Sequence, residues 1–314
     1  MGKKVIVDCD AGVDDALALI LAFHSPEIEV QAVTGVNGNV PLAKVFPNIQ
    51  KVLSLLRPSR KPWIARGAER PLRGEGASAH GVHGEDGLGG AAIRGYGEKE
   101  WWRSFPGPAH ELICEMAAGE PGAYTLIAVG PLTNLALALE HDPKAMKALR
   151  EIIVMGGAVR TAGNITPHAE FNIYVDPLAA SKVFASGLSI RLVPLDATRQ
   201  VALTPGIMDG RIGGMKNRFI RFVSESTGYD RDIKCFLGGR TAFYLHDPLA
   251  VAAAIRPDLL EMEKVNLRVV IEPRERYGKT EEGKTENRGE GRINVAFKAD
   301  AEKFLALFIS RLKG

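Results

Sequence analysis

The sequence predicts a single α/β domain, residues 1–314, with a mostly parallel, mixed central sheet and helices on both faces. Three observations carry that fold. Short β-branched runs alternate with longer stretches of helical periodicity, in the β-α-β-α order that winds a parallel sheet. Most of the short runs are nearly continuously apolar, as strands covered on both faces must be. No internal repeat, low-complexity tract or long Pro/Gly/Ser linker interrupts the 314 residues, a length that suffices for a sizeable buried core.

In chain order, Lys4–Val7 reads as the first strand and Asp14–Phe23 as the first helix, followed by strand Glu29–Val33 and helix Val40–Leu56. Helix Ala109–Ala118, strand Thr125–Ala128, helix Thr133–Glu140 and strand Glu151–Val154 continue the alternation. Asp176-Pro177 reads as a helix start, because Asp caps free N–H groups and Pro presets the first turn. The last strand is Ile293–Phe297, and Arg274–Arg292 in front of it, with six basic and five acidic side chains among glycines, reads as a solvated hairpin.

Composition narrows the partner. Apolar residues make up 46% and charged residues 25%, which excludes disordered, collagenous and coiled-coil classes. A formal charge of +3, evenly spread, gives no electrostatic footprint for nucleic acid, so a small molecule is the expected ligand. The apolar run Ala16–Phe23 is far short of the ~20 residues that span a bilayer, no signal-peptide core precedes it, and Ile6 stands where a myristoylation signal wants Ser or Thr. Cys9, Cys114 and Cys235 form neither a disulfide framework nor a CxxC pair, which suits a reducing, cytoplasmic compartment.

Chemistry concentrates just after the first strand, at the carboxyl edge where ligands of such sheets gather. Asp8, Asp10, Asp14 and Asp15 put four carboxylates into eight residues. Like charges this close raise one another's pKa unless a cation or hydrogen bonds absorb them, and a helix N-terminus stabilises one or two, hardly four. An EF-hand fails because loop positions 5 and 12, counted from Asp8, are Gly12 and Leu19. The DxDx[TV] motif of aspartyl-phosphate phosphohydrolases, with Asp8 as nucleophile, also meets Gly12 in its Thr/Val slot. A hard-cation site built on Asp10 and Asp15 and completed elsewhere accounts best for the cluster. With no His/Cys group beside it, Ca²⁺ or Mg²⁺ is the expected ion.

Six motifs in order then resemble the inosine/uridine-preferring nucleoside hydrolase family. Asp8–Ala16, DCDAGVDDA, is similar to its DTDPGxDDA signature, with Cys9 and Ala11 as departures. Gly38-Asn39-Val40 resembles GNV, Gly130–Asn134 GPLTN, Met155–Gly157 MGG, Asn164–Asn172 NxTPxAEFN and His246–Ala250 HDPLA. The resemblance implies a Rossmann-like nucleoside hydrolase fold and calcium-dependent hydrolysis of the N-glycosidic bond of ribonucleosides, in nucleoside catabolism and salvage. It further implies Ca²⁺ held by Asp10, Asp15, Asp247 and the carbonyl of Val129, with Asp10 as general base and Asp8 supporting it. Asp14, Asn39, Asn164, Glu170 and Asn172 would hold the ribose, with Met155 packed near the sugar. His246 would protonate the departing base and His83, in a glycine-rich loop, would contact it. A homodimer or homotetramer is implied too.

Base preference leans toward pyrimidine or mixed, and Tyr229, Phe236, Phe243 and Tyr244 are candidates to shape the base pocket. His24, His110 and His141 read as structural, and Cys9 is no nucleophile because flanking carboxylates disfavour its thiolate. Two other classes stay open: a phosphohydrolase using Asp8, and a catalytically silent nucleoside- or ribose-binding protein that keeps the metal.

Overall fold

The computed structural model describes residues 2–75, 77–283 and 291–313. Its main sheet has ten strands. Eight of them, β1 (Lys3–Cys9), β2 (Ile28–Gly35), β3 (Trp63–Arg66), β4 (Arg103–Pro108), β5 (Tyr124–Ala128), β6 (Glu151–Met155) and β7 (Ile190–Val193) with, at the far end of the chain, β12 (Gly291–Ala299), run parallel. A two-residue pair, β8 (Ala202–Leu203) and β9 (Phe243–Tyr244), stands apart, while β10 (Leu260–Val269) and β11 (Thr280–Glu282) extend one edge antiparallel. The order is β11-β10-β12-β7-β6-β5-β1-β2-β3-β4, so the sheet is mixed as the sequence predicts.

Strand β1 lies between β2 and β5 because it alternates two apolar faces: Val5, Val7 and Cys9 enter one core and Ile6 the other. The chain winds outward from β1 to β4 and then returns to β5 on the opposite side, which leaves a crevice at the carboxyl ends of β1, β2 and β5. Helices Val13–Phe23, Leu42–Leu56, His246–Ile255 and Ala301–Arg311 pack into the first core, and Ala109–Gly119, Thr133–His141 and Pro177–Phe184 into the second.

Helix Val13–Phe23 is buried from Val13 to Ala22, because it is apolar beyond its first turn and is sandwiched between the sheet and helix His246–Ile255. That burial positions the site. Both helices start at the carboxyl edge, so Asp14 and Asp15 on one meet His246 and Asp247 on the other.

The predicted strands and helices appear with ends moved by one or two residues, and Asp176 caps its helix by accepting from the Ala179 N–H. Strands β3, β4, β7, β10 and β11 go beyond the sequence reading. Those that are four residues or fewer carry too little periodicity, and β10 mixes charges into its alternation because one edge faces solvent. The expected hairpin Arg274–Arg292 is corrected in part: Thr280–Glu282 pairs with β10 rather than with the last strand, and Thr280 is buried. Residues 284–290 of that stretch lie outside the described residues.

Candidate active site

Asp10 and Asp15 sit at the carboxyl end of β1 as one hydrogen-bonded unit, both buried. Asp15 accepts the N–H groups of Asp10 (3.1 Å) and Gly12 (2.8 Å), which folds the loop back onto its own helix start. Asn39, after β2, donates its backbone N–H to Asp10 Oδ2 (2.7 Å) and its amide to Asp10 Oδ1 (2.9 Å) and Asp15 Oδ2 (3.1 Å). Gly38 is required for this approach: a Cβ there would stand 2.0 Å from Asp10 Oδ2. Ala11 takes a φ of 42°, a conformation closed to the proline of the family signature, so this turn is closed differently from one built on proline.

Asp8 goes elsewhere. Its side chain leaves β1 on the same face as Ile6, is fully buried, and accepts from Thr34 Oγ1 and from Asn134 Nδ2 (2.8 Å). It ties β1 to β2 and to helix Thr133–His141; it does not support Asp10 directly, and it cannot reach a phosphate ester as a nucleophile. Both expectations are corrected: Asp8 and Asp10 would share a face of a continuing strand, but β1 ends at Cys9 and Asp10 lies in the turn that Ala11 closes at a φ of 42°, so the two carboxylates have different partners.

A cavity of about 440 Å³ opens in the crevice. Of the residues predicted for the site, Asp14, Asn39, His83, Val129, Met155, Asn164, Glu170, Asn172, His246 and Asp247 line it. Asp10 and Asp15 lie immediately behind its wall. Asp14 accepts the Asp247 N–H (3.0 Å) on Oδ2, while its buried Oδ1 has no partner. Glu170 caps helix Phe171–Val175 and accepts the N–H groups of Asn172 (2.8 Å) and Gly157 (3.0 Å). Asn172 donates to the carbonyl of Val129 (2.9 Å) and approaches Met155 Sδ (3.5 Å). Asn164 is exposed at the rim, its Oδ1 engaged by the Phe171 N–H (2.8 Å).

His83 is buried, and its Nδ1 accepts the Val13 N–H (3.0 Å). Burial, aided by the Arg240 charge, pushes its pKa down to about 3. His246 is held by Nδ1 on Thr198 Oγ1 (2.7 Å) and stacks on Tyr244; burial and then Arg199 lower it to about 4. Of the four aromatic candidates, Phe243 and Tyr244 line the cavity, whereas Phe236 is buried in the core and Tyr229 packs against it. His24 packs on Phe219 and His110 on His141, away from the cavity.

Sequence reasoning missed Thr198, which holds His246, Asn48, which donates to the Ala11 carbonyl of the acid loop, Thr34 and Asn134, which hold Asp8, and the wall residues Val82, Ile165 and Arg240. Asn134 and Ile165 belong to quoted motifs; the others carry no local signal. A larger cavity of about 630 Å³, lined by Arg73, Tyr174, Arg274 and Tyr277 among others, contains none of the predicted residues.

The acids define the electrostatics. Burial raises Asp10, Asp14 and Asp247 well above the usual carboxylate range, and neighbouring carboxylates add to it; Asp15 is pushed up to about 6 and Asp8 to about 7. No lysine or arginine is among the causes that shift Asp10, Asp14, Asp15 or Asp247. Among the described residues, no three His, Cys, Asp or Glu side chains stand close enough to share one ion. The donor set nevertheless fits a hard cation in kind. The oxygens named as ligands, on Asp10, Asp15 and Val129, are each turned toward an amide N–H of Asn39 or Asn172, and Asp14 Oδ1 is orphaned beside them.

Solved structures share this architecture. A plant nucleoside hydrolase, the PpNRh1 enzyme, matches with a TM-score of 0.88 and 32% identity over 100% of both chains. Fold and site together define an enzyme of the nucleoside hydrolase class. The family model described as inosine-uridine preferring nucleoside hydrolase matches residues 5–306, and the chain belongs to that family. The inosine-uridine preferring nucleoside hydrolase of Crithidia fasciculata is 36% identical over 315 residues, covering 100% of this chain and 98% of the relative. Uridine nucleosidase 1 of Arabidopsis thaliana is 35% identical over 85% of this chain and 78% of its own.

Proposed function

We propose that this protein hydrolyses the N-glycosidic bond of ribonucleosides to ribose and free base, with calcium as cofactor and a pyrimidine or mixed base preference. The observation that carries the reading is the gradient of polarity along the cavity. Its buried lining residues include Asp14, Asn39, Glu170, Asn172 and Asp247, each at most 7% exposed, whereas Val82, Ile165 and Tyr244 at the mouth are 36%, 41% and 42% exposed. Such a cavity takes a ligand with a hydroxyl-rich end inward and a flat, partly apolar end outward.

Asp14, Glu170 and Asn172 hold the ribose hydroxyls, with Asn39 and Asn164 beside them. Breaking the bond leaves positive charge on the sugar, and fixed carboxylates facing that charge stabilise it without reorganising. Asp10 acts as general base toward the attacking water. A second reading gives that proton to Asp14, because Asp14 lines the cavity with an unpartnered oxygen whereas Asp10 lies behind the wall. Asp10, Asp15, Asp247 and the Val129 carbonyl would hold Ca²⁺, which when bound keeps the acids ionised and adds hard coordination for sugar hydroxyls. His246 directs a proton at the leaving base, and His83 contacts it. Cys9 and Cys114 are buried and Cys235 is half-buried, all unpaired, which supports a reducing, cytoplasmic setting; among the described residues no helix is long and apolar enough to cross a membrane.

One assay separates the classes. The purified protein is incubated with uridine, inosine and a phosphate ester, with and without chelator, and reducing sugar and phosphate are measured. Sugar released from the nucleosides, lost on chelation and restored by Ca²⁺, is the expected result. Tight nucleoside binding without release would leave a silent binding protein, and full turnover after exhaustive chelation would remove the metal from the proposal.

A further inference from the structure

Helix Leu42–Leu56 buries an apolar stripe that includes Val45, Ile49, Val52 and Leu53, and within that stripe stands an amide, Asn48, only 1% exposed. A carboxamide buried among apolar side chains is costly unless its polar atoms are bonded. Its bonds leave the helix. Nδ2 donates to the Ala11 carbonyl of the acid loop (3.3 Å) and to the Asp86 carbonyl of the glycine-rich loop that follows His83 (2.7 Å), while Oδ1 accepts from Lys51 (3.2 Å). An amide group carries two N–H donors, so each loop takes one and none is left over.

On one side the bond leads to Asp15. The Ala11 carbonyl belongs to the same planar peptide unit as the Gly12 N–H, which donates to Asp15 Oδ2 (2.8 Å), so holding one end of that plane sets the direction of the other. On the other side the bond leads to a wall of the cavity. Asp86 Oδ1 accepts the N–H groups of Leu88 (3.0 Å) and Gly90 (3.1 Å), and the Gly89 N–H returns to the His83 carbonyl (2.8 Å), which makes residues 83–90 one bonded unit. Gly87, at a φ of 85°, lets this unit approach: a Cβ there would stand 2.8 Å from Asn48 Nδ2. His83 Nδ1 on the Val13 N–H is a second link between the same two loops.

Resting on the calcium reading above, we propose that Asn48 is a positioning residue that couples cation binding at the acid loop to docking of the His83 loop. It lines no part of the cavity and acts through its two carbonyl partners. Fixing Asp15 in the shell of a cation fixes the Ala11–Gly12 peptide, and the Asn48 amide held on that carbonyl then holds Asp86 and the residues bonded to it. Undocking the loop strands a buried Asn48 donor, which opposes it. Coupling of this kind is reciprocal, so the docked loop in turn tightens cation binding.

The test reads metal and loop apart from turnover. Ca²⁺ affinity is measured by titration calorimetry, and hydrogen exchange of residues 84–90 is followed with Ca²⁺ and with chelator. The proteins are wild type, the nearly isosteric Asn48→Leu, Asn48→Ser, and Ile49→Ala, a core truncation one residue along the same helix. In wild type, Ca²⁺ should slow exchange of this segment, although none of its residues is a proposed ligand. Asn48→Leu should bind Ca²⁺ about tenfold to a hundredfold more weakly, the range for a group that orients a metal ligand, and should lose the Ca²⁺-dependent slowing. Asn48→Ser, with one donor on a shorter stem, should keep part of both and decides the matter if Asn48→Leu does not fold. Ile49→Ala should lower the thermal midpoint and keep both. Wild-type exchange indifferent to Ca²⁺ would overturn the proposal without any variant. So would Asn48 variants with wild-type affinity and slowing, or an Ile49→Ala that loses both as Asn48→Leu does. A wild type that binds no Ca²⁺ would sink the calcium reading and the coupling with it, whereas Ca²⁺ binding without effect on residues 84–90 sinks the coupling alone.

Discussion

Removing the cation should turn the acid cluster against the fold, and pH makes the effect measurable. Asp8 is raised from 3.8 to about 7 and Asp15 from 3.8 to about 6, both mainly by burial. In the folded, metal-free protein these groups keep their protons above pH 4, whereas in the unfolded chain they have lost them. The native state then binds more protons, so stability is full below pH 4 and is lost as pH rises through 6 and 7. The rise for Asp8 corresponds to about 4 kcal/mol and that for Asp15 to about 3 kcal/mol. With a melting entropy of about 2.1 cal/mol/K for each of the 314 residues, those energies amount to about 6 °C and about 5 °C of thermal midpoint. Scanning calorimetry in chelator from pH 4 to pH 8 should show that decline. Saturating Ca²⁺ holds Asp15 ionised in the native state, so its share of the decline should disappear, and Asp15→Asn in chelator should remove the same share. A midpoint in chelator that climbs between pH 4 and pH 7, or slopes that coincide with and without Ca²⁺, would refute the reasoning.

Three further outcomes follow from the site. Asp10→Asn should lower kcat by about 10² to 10⁴ if Asp10 is the general base, and Asp14→Asn should do so instead if the proton goes to Asp14; steady-state kinetics on uridine distinguishes them. A 2′-deoxynucleoside leaves buried polar groups of the inner cavity unpaired, so uridine should exceed 2′-deoxyuridine in kcat/KM by at least about a hundredfold, and comparable values would show that the sugar is held otherwise. His246→Ala should slow inosine strongly and p-nitrophenyl riboside little, because p-nitrophenolate leaves without a proton; equal slowing of both would make His246 an orienting group for Asp247.

Much of this protein was set by local sequence. The β-branched run Lys4–Val7, the long apolar stretch of Asp14–Phe23 and the Asp-Pro start at Asp176 are short-range properties, since β-propensity, side-chain period and capping act within a few residues. The acid loop was legible for the same reason, four carboxylates in eight residues being costly in any fold that does not use them. Motif order also located Asn39, Glu170, Asn172 and His246, which the fold brings to one cavity from loops more than 200 residues apart. What tertiary structure alone decided are contacts between distant segments. That Asp8 turns away from the site depends on which face of β1 meets helix Thr133–His141, and that Asp14 is held by the Asp247 N–H depends on two buried helices starting side by side. Arg240 sits in a glycine-flanked turn with no pattern of its own. Only the packing of that turn against the loop of His83 brings its charge into the cavity, because an isolated arginine in a sequence carries no record of what lies across from it.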